Sequence, residues 1–391
     1  MASSPALSNL LRVLNAELSP RAESEVIVTN RRIATEGDDD LVNLGILLGE
    51  NRELGHAIFL DIETTGLTAG AGTLVALVGL AWVEGNEVIV RQYILHDPAV
   101  ESAMLDAVSD DLQGARTVVT FNGKRFDAPI LLGRYLLHRR RDPFPDHHLD
   151  LLHPARRIWS RRLRGTSLLT LESRVLGVVR PLDIPGEEIP ARFFDFVRGD
   201  CAAMLPVIEH NRQDLVTLIL LARRIARLVG PRPPQGVAPA DLVGLGRLCE
   251  AVGQVTLARR SYEAALGAAS RSDRAEAIYR LATIHLREGN LPESIELLEA
   301  AASYSDPVSL LAAIDLAKIY EHRQRDPRSA LLHTRQALRL AAELPDSTKL
   351  RVFAELERRV QRLTRKLGRA EGLPFQAAAP GVQWPPVDSL G

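Results

Sequence analysis

Ala57-Ile58-Phe59-Leu60-Asp61-Ile62-Glu63-Thr64-Thr65-Gly66 carries an apolar run straight into two acids separated by one position. The run reads as a buried strand, His56 to Glu63. Alternation along a strand puts Asp61 and Glu63 on the same face. Two like charges at the end of a buried strand repel each other and lose solvation, which costs stability unless a cation offsets it. Hard carboxylate oxygens suit Mg2+ or Mn2+. The plain alternative is an exposed strand end with solvated acids.

Outward from this stretch the order of elements is α/β. Upstream, Glu25 to Asn30 reads as a short strand. Downstream, Thr73 to Val83 and Glu87 to Leu95 read as two strands joined at Glu84-Gly85-Asn86, a hairpin signal. Pro98 to Gln113 has helical periodicity. Thr117 to Phe121 is a short, continuously apolar strand of the kind a doubly covered parallel sheet uses. Phe126 to Arg139 reads as a helix and His148 to Leu151 as a strand. Leu168 to Leu176, Ala191 to Phe196 and Cys201 to Leu228 read as helices. The expected fold is a mixed sheet, three antiparallel strands and then parallel ones, with flanking helices.

Two further segments carry acids. Asp127 falls at a helix start after the Gly-containing turn Phe121-Asn122-Gly123-Lys124-Arg125, where it could serve only as an N-cap. His210 and Asp214 lie four residues apart on one helix face, just before the apolar run LVTLILLA. A carboxylate entering the core there needs a partner. The order is DxE, then D, then HxxxD. Four carboxylates converging at a strand end can hold two divalent ions for an in-line phosphoryl displacement. His210 is the available general base, with Asn211 beside it. Asp150, ending the strand at 148–151, is either an auxiliary acid or a structural cap. Arg139 to Arg141 and then Arg156, Arg157, Arg161, Arg162 and Arg164 crowd a stretch with few acids around Trp159. Arginines grip phosphates and an aromatic ring can stack on a base. Lys124 and Arg125, beside Asn122 and Asp127, could meet a scissile phosphate. Backbone N–H groups of Thr64, Thr65, Gly66 and Leu67 could face a terminal nucleotide.

The C-terminal part is different. Gly230 to Pro239 holds four prolines in ten residues and reads as a linker, 230–240. Beyond it the chain repeats. Leu245-Gly246, Gly253, Ala258, Tyr262 and Ala265 form one unit. Leu281-Ala282, Gly289, Ser294, Leu298 and Ala301 form a second, 36 residues on. Leu316-Ala317, Tyr320, Ala330, Thr334 and Ala337 form a third. This resembles the tetratricopeptide repeat, whose period is about 34 residues. An all-α repeat domain over 241–368 is expected, presenting a groove to a protein partner. An N-terminal extension, 1–24, and a disordered tail, 369–391, flank the two domains.

Composition sets outer bounds. Lys and Arg number 48 against 49 Asp and Glu in 391 residues, so any nucleic-acid surface must be local. Two cysteines, Cys201 and Cys249, exclude a disulfide framework and fit a reducing cytoplasm. No signal peptide is expected from Met1 to Leu14. The longest apolar run, Thr73 to Val83, falls short of the roughly 20 residues a membrane span takes.

With these segments in hand, residues 25–228 resemble the YprB-type RNase H-like domain of the DEDD superfamily of 3′–5′ exonucleases. The resemblance rests on FLDIETTGL (59–67), FNGKRFDAPIL (121–131), DLLHPARRIW (150–159) and HNRQDLVTL (210–218). It implies that Asp61, Glu63, Asp127 and Asp214 are metal-binding acids acting at a DNA or RNA 3′ end. It also implies helical repeats after the nuclease domain. Members of the superfamily place a histidine four residues clear of the last aspartate, or a tyrosine three residues clear. His210 has the tyrosine-type spacing, so its role stays open between base and water- or phosphate-orienting group. The competing readings are an inactive nucleic-acid-binding module and a repeat-based scaffold.

Overall fold

The computed structural model describes residues 12, 17–18, 26–34, 39–49, 54–66, 72–180, 183–231, 236–267, 270–304, 306–343 and 346–370. The chain divides into two compact units, Met1–Ala258 and Arg259–Gly391. The expected tail, most of the N-terminal extension and the centre of the Pro-rich linker lie outside the described residues.

The first unit is built on one sheet. Its strands are β1 (Glu17–Leu18), β2 (Ile27–Ala34), β3 (Ala57–Thr64), β4 (Val75–Glu84), β5 (Glu87–Ile94), β6 (Thr117–Thr120) and β7 (His147–Asp150). Their spatial order is β1-β2-β5-β4-β3-β6-β7. The pairs from β1 to β3 are antiparallel. The pairs β3–β6 and β6–β7 are parallel, so the expected mixed sheet stands. β6 has the sequence TVVT and is buried throughout, because a parallel strand inside an α/β sheet is covered on both faces. The helices Glu101–Leu112 and Asp127–Leu137 supply Met104, Leu105, Val108, Ile130, Leu131 and Tyr135 to the core that also holds Ile58, Leu60, Ile62 and Val78.

The long helix Leu205–Val229 packs across β3, β4 and β5. Its approach is close because β4 has no side chain at Gly79. A Cβ there would lie 2.1 Å from Asn211 Oδ1 and 2.8 Å from Leu215 Cδ1. Gly79 pairs with Asp61 on one side and Gln92 on the other, so the three share the helix-facing side of the sheet.

Several stretches differ from the sequence reading, among them the unassigned helix Leu152–Trp159 and the 3-10 turn Cys201–Met204 before the helix at Leu205. A 3-10 helix, Asp39–Leu48, lies between β2 and β3, in a stretch with no assigned element. The expected helix Leu168 to Leu176 is α-helical only over Leu168–Leu171 and widens to a π turn over Glu172–Leu176. Gly177, at φ 70°, closes it, as a left-handed glycine does at a helix end.

The helix Pro239–Ala251, expected as the start of the repeats, lies in the first unit and packs on Leu152–Trp159. Gly244 permits the contact: a Cβ there would sit 2.4 Å from the carbonyl oxygens of Arg157 and Ile158. Arg162 donates twice to Asp241 at 2.9 Å across the same contact.

Among its described residues the second unit is all-helical. Arg271–Glu288, Leu291–Ala302, Pro307–His322, Pro327–Ala341 and Asp346–Ala370 each pack on the next helix in sequence. Most of the large and small residues of the second and third sequence units are buried, among them Leu281, Ala282, Leu298, Ala301, Leu316, Ala330 and Ala337, while Tyr320 is half-buried and Gly289 exposed. Ser294 is buried where two helices meet, and its hydroxyl donates to the Ala282 carbonyl at 3.0 Å. Among the described residues no helix is long and apolar enough to cross a membrane.

Candidate active site

Three elements deliver acids to the same end of β3. Asp61 and Glu63 come from the strand itself. Asp127 opens the helix Asp127–Leu137 without capping it. Its Oδ1 instead accepts from the Ile62 backbone N–H at 3.2 Å, which holds the carboxylate between the two strand acids. Asp214 comes from the helix Leu205–Val229, which also brings His210 and Asn211. Asn211 is fully buried, and its amide donates to Asp61 Oδ2 at 2.8 Å. Its own oxygen accepts from Gln92 at 2.9 Å, and Gln92 in turn accepts from Thr29 at 3.0 Å. This chain of hydrogen bonds registers the helix on the sheet.

The cluster is strongly frustrated as a set of bare carboxylates. Burial, then the charges of Asp214, Glu63 and Asp127, push Asp61 far above the usual carboxylate range. Burial, then Asp214, Asp127 and Asp183, do the same to Glu63. Asp127 rises to about 7, chiefly through burial, although backbone N–H donors pull the other way. As they stand, no three His, Cys, Asp or Glu side chains among the described residues are gathered closely enough to hold one ion. The donor chemistry nonetheless fits a hard divalent cation: buried, mutually repelling carboxylates are what such an ion relieves.

The raised values fix the sign of a pH effect. Between the ordinary carboxylate pKa and about 7 the folded, metal-free protein holds more protons than the unfolded chain. The stability these groups contribute is therefore fully present at acid pH and lost as pH rises through about 7. In chelator, the thermal midpoint is expected to fall by roughly 3–10 °C between about pH 5 and about pH 7.5, at about 2–4 °C per kcal/mol. Mn2+ in excess at the higher pH should restore it. A midpoint that is flat or rises over this range would show that the acids are not packed as described.

The sequence reading missed the residues between the π turn and the following helix. Arg180 has a side chain only 5% exposed and forms a direct ion pair with Asp214. It also meets Glu172 at 2.7 Å and Asp183 at 3.4 Å. Asp183 Oδ1 lies 2.6 Å from His210 Nδ1. The other ring nitrogen of His210 lies 3.8 Å from Glu63 and 3.7 Å from Asp214. No spacing signal marks this segment, since the contacts reach across 27 and 34 positions of chain.

The expected substrate contacts divide. Lys124 and Arg125 are exposed beside Asn122 on the turn that leads to Asp127. Arg156 and Arg157 are exposed on the helix Leu152–Trp159. Lys124, His147, His153 and Arg157 line a cavity of about 500 Å3 whose apolar wall includes Leu47, Leu248 and Val252. Trp159, expected to stack on a base, is 1% exposed and belongs to the core; its helix turns that face inward. The Thr65 N–H, expected to face a nucleotide, donates to the Leu74 carbonyl at 3.0 Å, next to the register shift at Glu63/Thr64. The Thr64 hydroxyl donates to the Gly66 carbonyl at 2.7 Å. Leu67 lies outside the described residues. Asp150 lines the same cavity as Lys124 and Arg157. It is buried and accepts from the backbone N–H groups of Asn122, Lys124 and Leu152 at 2.8, 3.2 and 3.0 Å. It thereby shapes the turn in which Asn122 adopts φ 65°.

The model of the RNase H superfamily matches residues 58–226. The Bacillus subtilis (strain 168) protein YprB is 31% identical over 315 residues, which cover 80% of this chain and 75% of YprB. A solved structure, the family B DNA polymerase from the hyperthermophilic archaeon Pyrobaculum calidifontis, aligns with a TM-score of 0.37 at 13% identity. That alignment covers 71% of this chain and 35% of the polymerase.

Proposed function

This chain belongs to the RNase H superfamily, together with YprB, and on that footing we propose that it is a divalent-metal-dependent 3′–5′ exonuclease acting on DNA or RNA. The observation that carries the reading is that Asp61, Glu63, Asp127 and Asp214 lie within electrostatic reach of one another at the end of one strand, Glu63 and Asp127 buried and Asp61 and Asp214 half-buried, with His210 Nε2 on the rim.

In this reading Asp61, Glu63, Asp127 and Asp214 hold two Mg2+ or Mn2+ ions. The chemistry those ions supply, when bound, is Lewis acidity toward the attacking water and the leaving oxygen. His210 takes the proton of the water through Nε2. Asn211 fixes the Asp61 carboxylate. Lys124, Arg125 and Arg157 hold the phosphates of the strand, and Lys124 and Arg157 do so along the cavity wall. The helical unit, read as tetratricopeptide-like, binds a protein partner.

The test is direct. Purified protein with Mn2+ should release label from a 3′-labelled single strand and leave a 5′ label on shortened products. Label released only from within the strand would refute exonuclease action. Arg157→Glu should weaken strand binding by about 10-fold at low salt and flatten the salt dependence by about one phosphate contact. Unchanged affinity would remove the cavity from the strand's path.

One observation favours a second reading, a binding module without turnover: Arg180 already occupies one oxygen of Asp214. Strand binding with no label release under any divalent ion would establish that reading.

A further inference from the structure

We propose that Asp183 is a positioning residue that sets the tautomer and aim of His210, so that its Nε2 faces the acid cluster as a proton acceptor. The inference rests on the exonuclease reading above.

A neutral imidazole has one N–H and one lone pair, and an ionised carboxylate only accepts. Asp183 Oδ1 lies 2.6 Å from His210 Nδ1, so in the neutral ring the carboxylate selects the tautomer with the hydrogen on Nδ1 and the lone pair on Nε2. The ring plane then points Nε2 between Glu63 and Asp214, at 3.8 and 3.7 Å. The side chain is 16% exposed, so water can still reach it from the open side.

Asp183 is itself held. Arg180 reaches it at 3.4 Å and is anchored by Glu172, whose side chain is 2% exposed, and by Asp214. Arg180 and Asp183 thus grip the helix Leu205–Val229 at two points one turn apart, His210 through Asp183 and Asp214 through Arg180. The charged groups facing the imidazole are Glu63, Asp183 and Asp214, with Arg180 behind the two aspartates.

This arrangement accounts for the spacing. With three residues between it and Asp214, His210 departs from the histidine pattern of the superfamily it resembles. Here the ring's direction is set by a hydrogen bond from a distant segment and does not depend on the helical interval alone. In the hydrolytic step the water O–H bond breaks and its proton moves to Nε2. The water oxygen bonds to phosphorus, the P–O3′ bond breaks, and O3′ leaves with the electron pair and takes a proton from solvent. Asp183, though exposed, stabilises the imidazolium that forms through the same hydrogen bond.

The experiment is a double-mutant cycle with a spectroscopic readout on the full chain. Asp183→Ala should lower kcat by about 10- to 100-fold with KM within about threefold, while Asp183→Glu recovers part of the loss. Mn2+ affinity by calorimetry should be unchanged. The Asp183→Ala/His210→Ala pair should be no slower than His210→Ala, because the two act as a unit. Long-range 1H–15N spectra should show Nδ1–H for His210 in the wild type and a shift toward Nε2–H in Asp183→Ala. A kcat within twofold of wild type, or a fully additive double mutant, would overturn the proposal. If the wild type hydrolyses nothing, the exonuclease reading fails, and the tautomer spectra alone decide this inference: Nε2–H in the wild type, or no change in Asp183→Ala, refutes it.

Discussion

Asp61→Asn is expected to abolish strand hydrolysis, with a loss of about 10³-fold or more, and at the same time to leave the metal-free protein at least as stable as the wild type. The opposite signs follow from one cause. Asp61 is half-buried, its carboxylate largely desolvated, and it faces three other acids. Its charge is what a divalent ion would require and what the empty fold tolerates least. An amide keeps the shape, and its oxygen can still accept from Asn211, now 2.8 Å from Asp61 Oδ2. It removes the repulsion with Asp214, Glu63 and Asp127. Label release and thermal unfolding in chelator, measured on the same preparation, check both halves. Strand affinity should stay within about threefold, because the phosphate-holding cations are elsewhere. Full activity in Asp61→Asn would mean that the cluster is not the reacting centre. A marked loss of metal-free stability would mean that the charge is already paired in the fold.

Gly79→Val should produce the largest loss of stability of any single change near the site, about 3 kcal/mol or more. The reason is geometric. The new Cβ would stand 2.1 Å from Asn211 Oδ1 and 2.8 Å from Leu215 Cδ1. β4 cannot give way, since Gly79 is paired with β3 and β5 at once. The helix Leu205–Val229 must lift, and lifting it breaks the Asn211 bonds to Asp61 and Gln92. The same movement carries His210 and Asp214 off the cluster, so residual folded protein should be inactive. Denaturant unfolding of Gly79→Ala, the milder change, keeps the test open if the valine variant does not fold. Combining Gly79→Ala with Asn211→Ala should recover part of the loss, because the two side chains compete for one space. Simple additivity of the two changes would show that the close approach is not where the strain lies.

The DxE strand end, the hairpin that follows it and the short apolar β6 were legible because each is a local pattern: alternation, turn chemistry and burial on both faces. The four acids could be proposed as one cluster from their order alone. The fold brings their charges within reach of one another without assigning them a task. Trp159 shows the limit of composition. It sits among arginines in sequence, yet its helix turns it inward while Arg156 and Arg157 face out. Asp150 shows the same limit from the other side, as an acid in a matching motif that is used up by three backbone N–H groups. Gly244 lets Pro239–Ala251 close on a neighbouring helix, a contact that no repeat pattern encodes.

By itself the amino-acid order determined the α/β class, the mixed sheet and the positions of the four acids, since strand and helix periodicities are written in neighbouring residues. Only the tertiary structure decided that Arg180 and Asp183 stand against Asp214 and His210, that Gln92 and Asn211 lock the helix to the sheet, and that Gly79 makes room for them. Those contacts join residues dozens to more than a hundred positions apart. Chain distance of that kind leaves no periodic trace, and side-chain direction is settled only when the packed backbone leaves one way to turn.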